Sequence, residues 1–333
     1  MLAVVVHHRG EGLLAACLES LLASEGVRLE VVVVANACAE RLPAILSDPR
    51  VHLVESTVAL SFAAANNLAV EWAQRQLPAA EALYFLNNDT RSEPPALAAQ
   101  YAALAADPRC GIAGPQLVIQ GAEQLVNSLG LAVTEAGEAW DEGIGRPRHE
   151  FSQLPPVREV LAVTGSALLV RPEVLAEGGG WTELYGYYYE DIDLCLKARS
   201  RGWTVCWVRD AVVGHAISAT SDAIASFKRR LSWRNQLVLL AVHWPWRLLL
   251  RVLPRLVTAQ LVVFLRRLRE AREDARLQLA AWGGALALLP RALAARRRNG
   301  PGSEWTRLLR PAGTVPGIEL PDRRPRASLP ETP

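Results

Sequence analysis

Between residues 2 and 89, short all-apolar runs alternate with longer segments in which apolar residues return every three or four positions. Residues 2–6, 29–34 and 83–86, with a shorter run at 50–55, read as buried strands. Residues 11–23 set Leu14, Cys17, Leu18, Leu21 and Leu22 on one side of a helix, and 63–76 reads as a second helix. This alternation predicts an α/β chain with a mostly parallel sheet and helices on both faces. Ligands of such sheets bind beyond the carboxyl ends of the strands. Asn36, closing the second strand, and Asn87, Asn88 and Asp89, closing the fourth, are therefore placed to line a site.

Past Pro115 the pattern is less regular and rich in glycine up to Gly145. Residues 160–170 read as one strand with Gly165 and Ser166 at its middle, which implies close backbone approach by another group. A glycine- and aromatic-rich loop, 178–189, leads into Glu190-Asp191-Ile192-Asp193 and a helix to about Arg201; residues 203–208 are a last strand before Gly214-His215. From 226 to 298 the pattern is helical and rich in arginine. The proline-rich end predicts disorder. The organisation read from this is 1–235 as the α/β domain, 236–300 as a basic amphipathic helical segment and 301–333 as a disordered tail.

Half of the 333 residues are hydrophobic and 21% are charged, enough for a sizeable core and incompatible with global disorder. The net charge of +2 hides a division: residues 1–227 sum to −12 and residues 228–310 to +14. Arg247, Arg251 and Arg255 recur at i, i+4, i+8 among leucines and valines, with Trp233, Trp244, Trp246 and Trp282 nearby. That pattern suits a helix in an anionic membrane interface across 241–298; the alternative is a helix packed on the α/β domain. A nucleic-acid partner would not explain the apolar face. The apolar stretches 237–246, 256–265 and 277–290 each fall short of the ~18–20 residues of a membrane span, so no span is predicted. No targeting segment is read at the start. Five cysteines without a CxxC pair indicate neither a disulfide framework nor a zinc knuckle, and suit a reducing cytoplasm.

Two constellations carry chemistry. A carboxylate at a strand's end, as in Asn87-Asn88-Asp89-Thr90, can hold a divalent cation that grips a diphosphate, or can cap an Asx turn. Three carboxylates within Glu190-Asp191-Ile192-Asp193 exceed what a helix N-terminus needs. Their mutual repulsion requires a metal, a proton or a cationic substrate. Taken alone, His215 reads more readily as a packed or solvated side chain than as a ligand, and Arg234 as part of a helix's solvated face. No Walker or dinucleotide loop is present, which argues against kinases and dehydrogenases.

Taken together, 163–170 (VTGSALLV), Gly179-Gly180-Trp181, and 188–196 (YYEDIDLCL) through Gly202-Trp203 closely resemble family 2 glycosyltransferases, best the bacterial rhamnosyltransferase-like branch. Upstream, 62–67 (FAAANN) and 86–90 (LNNDT) follow in the expected order, and the resemblance covers about 2–240. It implies a GT-A fold and inverting transfer of a sugar from a nucleotide-diphosphate donor to a glycan or lipid-linked acceptor, with Mg²⁺ or Mn²⁺. It implies Asp191 as general base with Glu190 beside it. Asp89 and His215 would serve the metal. Asn36, Asn66, Asn87, Asn88 and Arg234 would lie at the donor, and Gly165, Ser166, Trp181, Tyr189 and Asp193 at the acceptor. It further suggests a peripheral protein at the cytoplasmic face of the plasma membrane. His7-His8-Arg9 and Ala35-Asn36 depart from the family's Asn-aromatic-Asn and Asp-Asn, and they keep open an alternative, a non-catalytic sugar-nucleotide or glycan-binding subunit of a membrane-associated synthesis complex.

Overall fold

The computed structural model describes residues 1–216, 222–299 and 304–314. The chain runs β1 (Leu2–His7), α1 (Glu11–Leu22), β2 (Glu30–Asn36), β3 (Val51–Ser56), α2 (Phe62–Gln76), β4 (Leu83–Asn87), β5 (Thr90–Ser92) and α3 (Ala96–Ala106). It continues with β6 (Cys110–Ile119), β7 (Ala122–Ser128), β8 (Leu131–Val133), β9 (Ala139–Asp141), β10 (Val157–Glu159), β11 (Ala167–Val170), α4 (Pro172–Gly178), α5 (Glu190–Arg199) and β12 (Thr204–His215). Three long helices follow: α6 (Asp222–His243), α7 (Trp246–Glu270) and α8 (Arg272–Asn299).

The main sheet has the order β10-β12-β6-β11-β4-β1-β2-β3. β1 to β4 are parallel, β11 is antiparallel to both its neighbours, and β12 runs parallel to β6. Side chains alternate across the sheet with the strand's period of two. Val4, Val32, Val34 and Phe85 join a core under α2 and α6, while Val5, Val33, Tyr84 and Leu86 join a second core under α1 and α3. Both faces are covered, which is why these strands are apolar throughout. The register aligns His7 with Ala35, and Val6 with Asn87, so β1, β2 and β4 end together.

Of the single strand expected over 160–170 only the end is strand, β11, and β10 lies just before the run. β10 pairs with β12 and β11 with β4, on different parts of the sheet, and residues 160–166 cross between them. Val163 crosses so close to Gly114 on β6 that a Cβ there would lie 2.5 Å from its side chain. Glycine is the residue that admits the crossing.

The boundary expected at 235/236 falls inside α6. Val238, Leu239, Leu240, Val242 and Trp244 belong to the same core as Val4 and Phe85, so α6 is part of the α/β unit. The expected disorder of the C-terminal tail does not hold for residues 304–314. Trp305 is buried edge-on against Trp244, and the Arg310 amide donates to Val133 O at 2.9 Å. The rest of that tail lies outside the described residues.

Pro254 and Pro290 sit inside α7 and α8 without ending them. Both helices are consequently long and apolar enough to cross a membrane by length and composition, where counting uninterrupted apolar runs predicted no span.

Candidate active site

The turn after β4 places Asn87, Asn88 and Asp89 beside the end of β12. Asp89 Oδ1 is buried, accepts no hydrogen bond among the described residues, and lies 3.4 Å from His215 Nε2. The other ring nitrogen of His215, Nδ1, meets Asn127 Oδ1 at 2.7 Å. A proton on Nδ1 satisfies that amide oxygen and leaves the Nε2 lone pair facing the carboxylate. An orphaned carboxylate oxygen opposite an imidazole lone pair fits a divalent cation. Among the described residues no cluster of three His, Cys, Asp or Glu forms a full cage; Asp89 and His215 would hold such an ion, with substrate oxygens and water left to complete its shell, as is usual for Mg²⁺.

Asn88 does not face outward. Its amide donates to His7 Nδ1 at 2.9 Å and to Arg9 O at 3.0 Å, which ties the β1–α1 turn to the turn after β4. Burial lowers the proton affinity of His7, so it sits there as the neutral acceptor. Asn87 donates through its backbone to Ser166 O at 2.9 Å and through its side chain to Ser166 Oγ at 3.5 Å.

Asp191, on the first turn of α5, reaches the same crossing segment. Its Oδ2 accepts from Gly165 N at 2.9 Å and its Oδ1 from Ile192 N at 2.8 Å. Residues 165 and 166 thus separate the Asp191 carboxylate from the turn that carries Asp89. A Cβ on Gly165 would press on the Phe62 ring at 3.3 Å and meet the Asp191 Cβ at an ordinary 3.5 Å. Burial raises the Asp191 pKa, and the two amide donors offset only part of that rise. Burial, then the neighbouring Asp191 and Asp193, push Glu190 up to about 8. One proton relieves the like-charge repulsion that the sequence implied.

Several expected roles need correction. Asp193 is 0% exposed, its Oδ1 accepting from His243 Nε2 at 2.7 Å and Tyr185 OH at 3.1 Å, with Lys197 Nζ 3.5 Å from Oδ2. Burial works to raise its pKa, but Lys197 and His243 outweigh it and hold the carboxyl well below the usual range. Asp193 is an internal ion-pair partner, out of an acceptor's reach. Trp181 is 2% exposed and wedged edge-on between Phe62 and Phe85, which makes it core. Asn66 is fully enclosed and donates to Phe62 O within its own helix, so it cannot touch a donor. Asn36 spends both ends of its amide on Leu60, at 2.7 and 2.9 Å, shaping the loop before α2. Arg234 hydrogen-bonds to Tyr185 O and to Asn235 Oδ1, on the loop that leads to Asp191. Tyr189 donates its hydroxyl to Gly137 O at 3.1 Å.

Two residues escaped the sequence reading. Asn127 orients His215 from β7, and Asp141 on β9 is pushed up to about 6, chiefly by burial, where it feels Asp191, His215 and Lys228. Neither stands in a motif. Both come from the irregular stretch after Pro115, where periodicity carried no signal.

A mostly parallel sheet flanked by helices and followed by a C-terminal helical segment is the GT-A fold. Two solved structures share the fold: GalNAc-T7 with UDP, GalNAc and Mn²⁺ (TM-score 0.56, 14% identity, 74% of this chain and 48% of that one), and the Pyrobaculum calidifontis mannosyltransferase PcManGT with GDP-Man and Mn²⁺ (0.50, 18%, 92% and 77%). The chain belongs to glycosyltransferase-like family 2, whose family model matches residues 1–236. Among curated proteins it is 28% identical over 205 residues to the O-antigen biosynthesis protein RfbC of Myxococcus xanthus, covering 60% of this chain and 15% of that one. It is 25% identical over 202 residues to the uncharacterised y4gI of Sinorhizobium fredii, covering 60% and 22%. The chain thus spans less than a quarter of either curated relative.

Proposed function

We propose that the chain transfers a hexosyl or rhamnosyl group, with inversion, from a nucleotide-diphosphate donor to a hydroxyl of a glycan or lipid-linked acceptor during polysaccharide synthesis. The observation that carries this reading is the disposition of two carboxylates. Asp191 is buried, basic for an aspartate and aimed by two backbone amides, and on the other side of residues 165–166 Asp89 and His215 face each other at 3.4 Å. Inversion is one in-line displacement. Asp191 takes the acceptor hydroxyl's proton as that oxygen bonds to the anomeric carbon, and the bond from that carbon to the diphosphate breaks on the opposite side. Such base catalysis is worth ~10²–10⁴-fold in rate. A Mg²⁺ or Mn²⁺ ion held by Asp89 and His215 would neutralise charge on the departing diphosphate. Glu190, protonated at neutral pH, keeps a second negative charge away from Asp191. The Mn²⁺-containing relatives and the O-antigen relative support the metal and the polysaccharide setting.

The same reading puts the protein at the cytoplasmic face of a membrane. Trp246, Leu250, Leu253, Val257, Leu261, Leu265 and Leu268 form one outward strip along α7, with Leu250 67% exposed. An apolar strip facing water is the reverse of a soluble helix. The opposite face, through Val252 and Leu256, belongs to the protein core, and Arg251 pairs with Glu135. A helix so attached lies on a bilayer rather than across it, with Arg247, Arg251 and Arg255 beside the strip for anionic headgroups. A cleft of about 580 Å³ between α6, α7 and the 135–139 turn ends at Tyr189, two residues from Asp191, and suits the approach of a lipid-linked acceptor. All five cysteines are free, in keeping with a reducing compartment.

The test is donor hydrolysis or transfer with Mn²⁺ across UDP-, GDP- and dTDP-sugars. Asp191→Asn is expected to abolish turnover while nucleotide binding stays nearly intact. Equal loss of binding and turnover would sink the base assignment.

A further inference from the structure

The loop that delivers Asp191 is backbone in an unfavourable conformation. Tyr188 and Tyr189 have φ of 68° and 75°, in the left-handed region that non-glycine residues avoid, and Gly186 is at 74°. Residues held this way persist only where their surroundings over-determine them. Here the surroundings are led by one side chain from α6, with Arg234 as a second donor to Tyr185 O. Asn235 is fully buried, and its Nδ2 donates to Tyr185 O at 3.0 Å, Tyr187 O at 2.8 Å and Tyr188 O at 2.8 Å. Its Oδ1 accepts from Arg234 Nε at 2.8 Å, which fixes which end of the amide faces the loop.

The next residue on α6, Gln236, donates to Ala136 O at 2.8 Å, and Tyr189 OH donates to Gly137 O at 3.1 Å. The loop is thus held from α6 directly and again through the 136–137 turn. α5 begins at the loop's end, where Asp193 N donates to Tyr189 O at 2.9 Å. The direction of the first turn of α5, and of the Asp191 carboxylate against Gly165, therefore depends on where the carbonyls of 185–188 point.

We infer that Asn235 is a positioning residue for the general base: its amide gathers three loop carbonyls, holds Tyr188 and Tyr189 left-handed, and so aims Asp191. This rests on the reading of Asp191 as the base. Removing the amide takes the side-chain donor from Tyr187 O and Tyr188 O and leaves Tyr185 O to Arg234, and the loop relaxes toward ordinary φ to satisfy the freed carbonyls. Asp191 then leaves its register with Gly165, and a misplacement of about 1 Å can cost about 10²-fold in rate.

The experiment compares full-length wild type, Asn235→Ala, Asn235→Ser, Asp191→Asn and Asn235→Ala/Asp191→Asn. The inference expects kcat to fall about 10²-fold in Asn235→Ala and less in Asn235→Ser, which keeps one donor. Affinity for UDP, GDP or dTDP with Mn²⁺, whichever wild type binds, should stay within about twofold, since the loop faces the acceptor side. The double variant should be no slower than Asp191→Asn, because Asn235 acts through that carboxylate. Hydrogen exchange should quicken in the peptide spanning 183–193 and not in β1, β2 or β4. An unchanged kcat, unchanged exchange, or a double variant slower than Asp191→Asn overturns the inference. Should Asn235→Ala not accumulate as folded protein, Asn235→Ser carries the same comparisons. A fully active Asp191→Asn would instead overturn the base assignment, while the exchange result still reports whether Asn235 clamps the loop.

Discussion

At Asp193 three elements meet: its own helix α5, the aromatic loop through Tyr185, and the end of α6 through His243. Lys197, one turn further along α5 and 2% exposed, completes the charge balance and donates to Gly180 O at 2.6 Å and Thr182 Oγ1 at 2.8 Å. Lys197→Met is expected to destabilise by about 3–5 kcal/mol, since it strands a buried carboxylate; chemical denaturation measures it. Glu190 gives the opposite pH dependence from a salt-bridged acid. Its pKa rises from 4.5 to about 8 on folding, so between those values the folded state binds more protons than the unfolded one. Its contribution is complete below pH 4.5 and is lost as pH rises through about 8. The melting temperature should therefore decline over that interval, with a shallower decline in Glu190→Gln. Asp191, raised by burial, should give kcat an acid limb above the 3.8 of an ordinary aspartate. Residue chemistry of this kind was half legible. The crowding of Glu190, Asp191 and Asp193 announced that something must relieve it. That a proton relieves one and an internal lysine another depends on Lys197 and His243, 4 and 50 residues away from Asp193.

The elements of the first third follow the sequence periods closely, because a strand buried on both faces must be apolar throughout and a covering helix must be apolar on one side. The 160–170 run misled for the same reason: it is apolar on both sides of Gly165-Ser166, yet only its end pairs with β4 as a strand, while at its start the Val160 amide bonds to Val205 O on β12. In α7 the period was legible and the facing was not. A face of leucines and valines predicts burial, and here one apolar strip is buried while another looks outward. Leu250→Glu with Leu261→Glu, both exposed, should leave the melting temperature within a few degrees. It should weaken sedimentation with anionic vesicles more than about 10-fold, since withdrawing each leucine from an apolar phase costs about 1.5–3 kcal/mol. Undiminished vesicle binding by the double variant would rule out α7 as the contact.

Over the whole molecule the near-neutral charge resolves into an acidic α/β unit and basic helices, −12 and +14. The two are joined by α6, whose inner face is core and whose Asn235 and His243 reach the Glu190–Asp193 region from behind. The proposed metal dependence belongs to this scale, since Asp89 comes from β4's turn, His215 from β12 and Asn127 from β7. Removing divalent ions with EDTA, or Asp89→Ala, should erase the thermal stabilisation by nucleotide diphosphate. That stabilisation is about 2.7 kcal/mol at a hundred times Kd; its persistence in both cases would refute the metal site. By itself the sequence determined the α/β class, the strand ends that bear the site and the blocks that carry the family resemblance, because burial periodicity and short motifs are local. Which carboxylate faces a substrate, which is locked inside, and which face of α7 meets solvent were decided by tertiary structure. Each depends on groups brought together from distant parts of the chain, and no local pattern encodes that meeting.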